Sequence, residues 1–326
     1  MRFVPGSFVV AAAVLTSGIA SPLAAAAAVP DGSRVVPQPV LEVHVYSEGV
    51  VFDHQGHGYL SHGDRISKFT LDGQSDVWAT TGAPNGHKVL ADGTHLVCDG
   101  SQHAVLHLSA DGKVLGKAAS ECDGKPLRAP NDLCLDPQGG FYFTDPGGSS
   151  AQQAIGTVHY VDPAGRTRLV AAGHAFPNGI VLAPDAKRLW VAESGRNRII
   201  EFPLTAPGKA GEMKVFAELP AKGEGQVDNQ PDGMCLDAEG NLYVAHYGMR
   251  QVQVLDPEGK LIARLPGGNL TTSNVAFGGP NLDQLFVTGG LALEKGRGGL
   301  FRLDLGKFDV TGLRILPERK PERPQR

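Results

Sequence analysis

Short apolar runs alternate with turns rich in Gly, Asp, Asn and Pro along most of the chain. Residues 231–246 read PDGMCLDAEGNLYVAH. A polar start leads into an apolar run (234–236), an Asp/Gly turn (237–240) and a second apolar run (242–245). The same grammar begins at Ser47 (SEGVVFDHQGHGYLSH), Pro84 (PNGHKVLADGTHLVCD), Pro130 (PNDLCLDPQGGFYFTD), Pro177 (PNGIVLAPDAKRLWVAE) and Ser273 (SNVAFGGPNLDQLFVTG). Short runs of this kind bounded by turn residues predict antiparallel strands joined as hairpins. Further strand-like runs lie between the copies, at 65–71, 105–108, 157–161, 199–202, 251–255 and 299–303. Four strands in about 45 residues is the size of one propeller blade. The expected fold is therefore all-β: a six-bladed β-propeller with four-stranded antiparallel blades around a central channel. A β-sandwich or two β-domains is the rival, disfavoured by the regular repeat and the lack of a linker. Residues 40–46 alternate like a strand and are expected to join the last blade, closing the ring and removing its edges.

A repeat of this kind places equivalent residues on rings around the axis. The second residues of the copies are Glu48, Asn85, Asn131, Asn178, Asp232 and Asn274, spaced 37, 46, 47, 54 and 42 residues apart. They should stand at one mouth of the channel. Two carboxylates and four amides suit a hard cation, Ca²⁺ first, then Mg²⁺ or Mn²⁺. Zn²⁺ more usually recruits imidazole or thiolate. Asn-Gly and Asp-Gly are also ordinary turn pairs, so the same residues can simply start each inner strand. Glu48, a poor turn former, argues for the metal. The second strand of each hairpin returns to the same mouth, ending at His62, Asp99, Asp145, Glu193, His246 and Gly289. His62 and His246 are candidates for a general base or a substrate contact, since imidazole titrates near neutrality. Arg128, just ahead of Asn131, is a candidate for reaching a substrate oxygen.

Composition narrows the field. Hydrophobic residues make up 41% of the chain and charged ones 20%, enough apolar content for a sizeable core. A formal net charge of −4 argues against nucleic acid as a partner. No G-x-S-x-G, H-E-x-x-H or Walker A motif is present, and no G-x-G-x-x-G follows a strand. Four cysteines exclude a disulfide-dense scaffold. Cys134 and Cys235 occupy one repeat position and should be buried thiols, whereas Cys98 and Cys122 could pair. Residues 1–29 carry an Arg, an Ala-rich apolar stretch and small residues suited to cleavage, which predicts a secretory signal peptide and a periplasmic or secreted protein with no membrane attachment after cleavage. The propeller is expected over 30–316, as a monomer or weak dimer. Residues 317–326 (PERKPERPQR) are expected to be a disordered tail.

The segments SEGVVFD, RAPNDLCLDPQGGFYFTDP, FPNGIVLAPD, PDGMCLDAEGNLYVAHYG and SNVAFGG…LFVTG, in that order, carry a family likeness. Over about residues 45–305 the chain resembles the family of gluconolactonase, regucalcin and the luciferin-regenerating enzymes, with bacterial sugar-lactone hydrolases nearest. The resemblance implies a six-bladed propeller with one divalent metal in the channel mouth, held by Glu48, Asn178 and Asp232. It gives Asn131 a place on the metal or the substrate, and Asp232 a second role as base. His62 departs from the pattern, standing where many members carry Asp. Arg128 lies one residue further from Asn131 than in the regucalcin branch. The expected activity is metal-dependent hydrolysis of a lactone, foremost a sugar aldono-lactone, to its hydroxy-acid. Ca²⁺ is the first expectation, with Mg²⁺, Mn²⁺, Zn²⁺ and Fe²⁺ behind it. Asp232 or His246 would take the proton of the attacking water, while Asn131, Asn85, Arg128, His62 and Asp145 would be close to the substrate. The alternatives are a phosphotriesterase or arylesterase on the same metal site, and a non-catalytic exported binding propeller.

Overall fold

The structure is a computed structural model that describes residues 29–292 and 296–313. The expected signal segment, apart from Val29, and the C-terminal tail lie outside the described residues. Six antiparallel sheets of four or five strands follow one another along the chain, with a separate two-stranded ribbon of Glu121–Cys122 and Lys125–Pro126. Their inner strands are Ser47–Phe52, Pro84–Val89, Leu133–Leu135, Pro177–Leu182, Gln230–Leu236 and Thr271–Gly278. We number the blades one to six in that order. The fold is a six-bladed β-propeller, as the repeat predicts.

Closure uses the N-terminal segment. Gln38–Val43 becomes the outermost strand of blade six, antiparallel to Gly298–Asp304, with Val43 opposite Gly298 and Gln38 opposite Arg302. The strand starts two residues earlier than the alternation at 40–46 suggested and ends three earlier. Residues 44–46 instead carry the chain towards the inner strand of blade one. Blade four is irregular at its rim, where both Lys209–Ala210 and Lys214–Glu218 pair with Arg198–Ala206.

Burial decreases outward within each blade. The second strands Gly58–His62, His95–Asp99 and Phe141–Asp145 are buried along their whole length. The outer strand Ser75–Thr80 is mostly exposed. Strands covered on both faces read as continuous apolar runs, which is why simple alternation is weak in this sequence. The core lies between blades. Val51, Tyr59 and Ile66 of blade one pack on Val89, Val97 and Leu106 of blade two. At the closing joint, Phe286 and Leu300 of blade six meet Phe52, Leu60 and Phe69 of blade one. The ring centroids of Phe286 and Phe52 are 4.7 Å apart. Each such fully buried side chain contributes roughly 1.5–3 kcal/mol from burial. All four cysteines are buried free thiols, so Cys98 and Cys122 do not pair.

Candidate functional site

The inner strands share one irregularity, and it builds the site. In blade one Ser47 pairs with His62 and Val50 with Leu60, so Glu48 and Gly49 together oppose Ser61. Blades two, four, five and six break register in the same way, at Asn85-Gly86, Asn178-Gly179, Asp232-Gly233 and Ser273-Asn274. In blade three Asn131 and Asp132 oppose Thr144, whose backbone bonds to both. A β-bulge re-aims side chains at the end of a strand. Here it does so six times around one mouth.

Register corrects one member of the predicted ring. The first bulge residue is Glu48, Asn85, Asn131, Asn178, Asp232 and, in blade six, Ser273. Asn274 falls instead at the second bulge position, which is glycine in blades one, two, four and five. Those glycines are required by space. A Cβ on Gly49 would lie 2.2 Å from the Asn85 carbonyl oxygen, and one on Gly179 would lie 2.2 Å from that of Asp232. Blades three and six alone carry side chains there, Asp132 and Asn274.

Hydrogen bonds between blades fix the ring. The Ser61 hydroxyl donates to the Asn85 carbonyl at 2.8 Å, Gly86 N–H to Asn131 O at 2.8 Å, and the Thr144 hydroxyl to Asn178 O at 2.7 Å. The Ser273 hydroxyl donates to Ser47 O at 2.7 Å, joining the last blade to the first.

The mouth is strongly acidic. The Asp232 carboxyl is buried, and its pKa is driven well up by desolvation and then by the charges of Glu48 and Asp132, against hydrogen bonds from the Asn178 side chain and the Gly233 N–H. Burial also raises Asp132. Its nearest cation is Lys88, with Nζ at 3.9 Å, and Leu133 N–H donates to it at 2.8 Å. Carboxyls from blades one, three and five thus come within electrostatic reach of one another. No group of three His, Cys, Asp or Glu among the described residues forms a metal cluster. The available donors are two carboxylates, Glu48 and Asp232, mixed with the Asn131 and Asn178 amides. An all-oxygen set with two carboxylates fits a hard divalent cation.

The predicted second ring does not serve the mouth. His246 is fully buried; its Nε2 lies 2.8 Å from Asn197 Oδ1, and Gln253 Nε2 lies 3.2 Å from its Nδ1. Burial pushes its pKa down to about 4. With both ring nitrogens engaged, it is a structural imidazole and not the expected base. His62 is likewise buried, against Ser67 Oγ at 2.8 Å, and its pKa is pushed down to about 4, chiefly by burial. Asp145 spends its two oxygens on the N–H groups of Arg128 and Ala129, at 2.8 and 2.7 Å. Asp99 and Glu193 hold Ala83 N–H and Ala175 N–H in the same way. These carboxylates anchor the loops that lead into each inner strand, so Asp145 is not a substrate contact. The Arg128 guanidinium donates from one nitrogen, Nη2, to Ile155 O at 2.5 Å.

Three residues at the site escaped the repeat. Asp132 was visible as the one charged residue at a position that is otherwise Gly or Asn. Tyr46 precedes the first copy by one residue, and Tyr247 follows the fifth. Tyr46 lies within electrostatic reach of Glu48 and Asp232 and bonds to Ser273. Its ring meets that of Tyr247 with centroids 6.4 Å apart.

Residues 46–290 match the family model described as the SMP-30/Gluconolactonase/LRE-like region. The chain belongs to this family. It is similar to lactonase drp35 of Staphylococcus saprophyticus subsp. saprophyticus, 30% identical over 272 residues that cover 78% of this chain and 82% of that one. Against lactonase drp35 of Staphylococcus epidermidis identity is 38% over 165 residues, an alignment spanning about half of each chain (48% and 49%). Diisopropyl-fluorophosphatase of Loligo vulgaris is 26% identical over 273 residues, 74% of this chain and 85% of that one. Among solved structures, a gluconolactonase from Xanthomonas campestris superposes with a TM-score of 0.72 at 26% identity, over 84% of this chain and 91% of that one.

Proposed function

We propose that the protein hydrolyses a lactone to its hydroxy-acid, with a divalent cation, Ca²⁺ first, held by Glu48, Asn131, Asn178 and Asp232. The observation that carries this is the pair of carboxyls, Glu48 and Asp232, set at equivalent bulge positions of blades one and five and close enough for the charge of Glu48 to raise the Asp232 pKa. When bound, such a cation supplies Lewis-acid polarisation of the substrate carbonyl. The chain's own residues do the rest. The Asp232 carboxylate accepts a proton from the attacking water and returns it to the departing ring oxygen. The Asn85 and Asn131 amides, at equivalent bulge positions, orient substrate hydroxyls. The names of the drp35 and gluconolactonase relatives support the same activity.

The test is hydrolysis of a panel of aldono-lactones by the purified mature protein, with EDTA, with single metals restored, and with Asp232→Ala. Activity lost with EDTA and in the variant, then regained with one metal, is the expected result. Lactonase activity that persists in the metal-free protein would refute the proposal. A phosphotriester substrate is the second reading, favoured by the likeness to the squid fluorophosphatase; a cation that polarises C=O also polarises P=O. Export belongs to the proposal too, and fractionation of the source cells tests it: the mature protein should be found outside the cytoplasm.

A further inference from the structure

Blade six differs from the others at the mouth. Its bulge residue is Ser273, and its second strand ends in Gly289 and Gly290, where the neighbouring blades end in His246-Tyr247 and His62. Tyrosines from the two flanking blades meet beside it. Tyr46 leads into the inner strand of blade one, and Tyr247 ends Leu242–Tyr247 of blade five. Both are half-buried, with rings inclined at 62°. Tyr46 packs close to this strand end: a Cβ on Gly290 would lie 2.6 Å from Ala292 O, 2.8 Å from Thr271 Oγ1 and 3.1 Å from Tyr46 Cδ2. The Asn85, Asn131 and Asn178 amides belong to the opposite blades. The mouth therefore has an aromatic side and an amide side.

We propose that Tyr46 and Tyr247 form a specificity wall that takes the C–H face of a cyclic ester while the opposite amides take its hydroxyls. The proposal rests on the lactonase reading above and adds to it a preference for the closed ring. A ring laid flat offers a continuous C–H face to an aromatic surface. An open-chain ester of the same acid offers none that is preorganised, and pays conformational entropy to form one.

Tyr247 is the residue to change, because Tyr46 adjoins Glu48. We would measure steady-state kinetics on an aldono-lactone and on the methyl ester of the same acid, for the wild type, Tyr247→Ala and Tyr247→Phe. Calorimetric Ca²⁺ titration of each would monitor the ring of ligands. Tyr247→Ala should raise KM for the lactone roughly tenfold, with kcat and Ca²⁺ affinity held. The ester should be unaffected, and Tyr247→Phe should match the wild type. Equal losses on both substrates, no loss on the lactone, or a Phe variant as impaired as Ala would each overturn the wall. A wild type that hydrolyses no lactone would instead sink the lactonase reading. Calorimetric binding of the hydroxy-acid and of its lactone would then decide the wall separately: tighter binding of the lactone, lost in Tyr247→Ala, upholds it, and equal binding ends it.

Discussion

The two ends of the channel are made from the same six inner strands and share almost no chemistry. At the mouth, five of the six first bulge residues are carboxylates or amides, and the sixth is Ser273. At the far end, the last residues enclose a cavity of about 370 Å³ among Val50, Phe52, Met234, Cys235 and Phe277. Lys88 lines that cavity and also reaches Asp132 from below, at 3.9 Å. The difference begins at the bulges. Beyond them each strand pairs regularly with its neighbour, and its side chains pack between blades. At them the ladder opens, and polar side chains are freed for the axis. A propeller thus gathers freed polar side chains at one end by a local change of register while the rest of each strand does structural work.

The largest effect should come from removing the acidic end. Asp232→Ala should lower lactonase kcat/KM by about 10²–10⁴-fold and abolish the calorimetric Ca²⁺ signal. Cys235→Ala, three residues along the same strand, should leave both nearly unchanged. Comparable losses in the two would erase the division between ends.

Stability should follow the opposite map. Phe286→Ala opens the joint between the first and last blades and should cost about 3–5 kcal/mol in urea unfolding. Asp232→Asn, which removes a mutually repelling charge, should not destabilise the metal-free protein.

Histidine burial gives a pH dependence that is independent of the mouth. His246 and His62 have folded pKa values of about 4 against an ordinary value of 6.5. The unfolded chain therefore binds more protons between these values, so stability is full above about pH 6.5 and falls as pH drops towards 4. Urea midpoints from pH 7 to 5 should show that slope, and His246→Gln should shallow it. An unchanged slope would mean that His246 is not buried as a neutral ring.

The smallest effect tests the link between the ends. Lys88→Met removes the cation beneath Asp132, and Ca²⁺ affinity should rise by a few-fold, about 1 kcal/mol, as for a partly screened charge. Weaker binding would show that Lys88 orders the mouth more than it competes with the ion.

The repeat was legible because each blade must solve the same local problem: a polar start, an apolar inner strand, a tight turn and an apolar return. That periodicity fixed the number of blades, the N-terminal closing strand and five of the six bulge residues. It missed the sixth because Ser273-Asn274 resembles Pro-Asn in composition, while only pairing to Val287 and Gly289 reveals the offset. His62 and His246 carry the right chemistry at the right end of a strand, and sequence has no measure of which way a side chain points. Contacts with Asn197 and Gln253 occupy both ring nitrogens of His246, whereas His62 is held by Ser67 through Nε2 alone. The meeting of Tyr46 with Tyr247 was equally a tertiary outcome, since the two lie in blades one and five, far apart in sequence. Local propensity and spacing set the fold and the ring of bulge residues. The direction of each side chain and the approach of the Glu48, Asp132 and Asp232 carboxyls arose only when six blades closed on one axis.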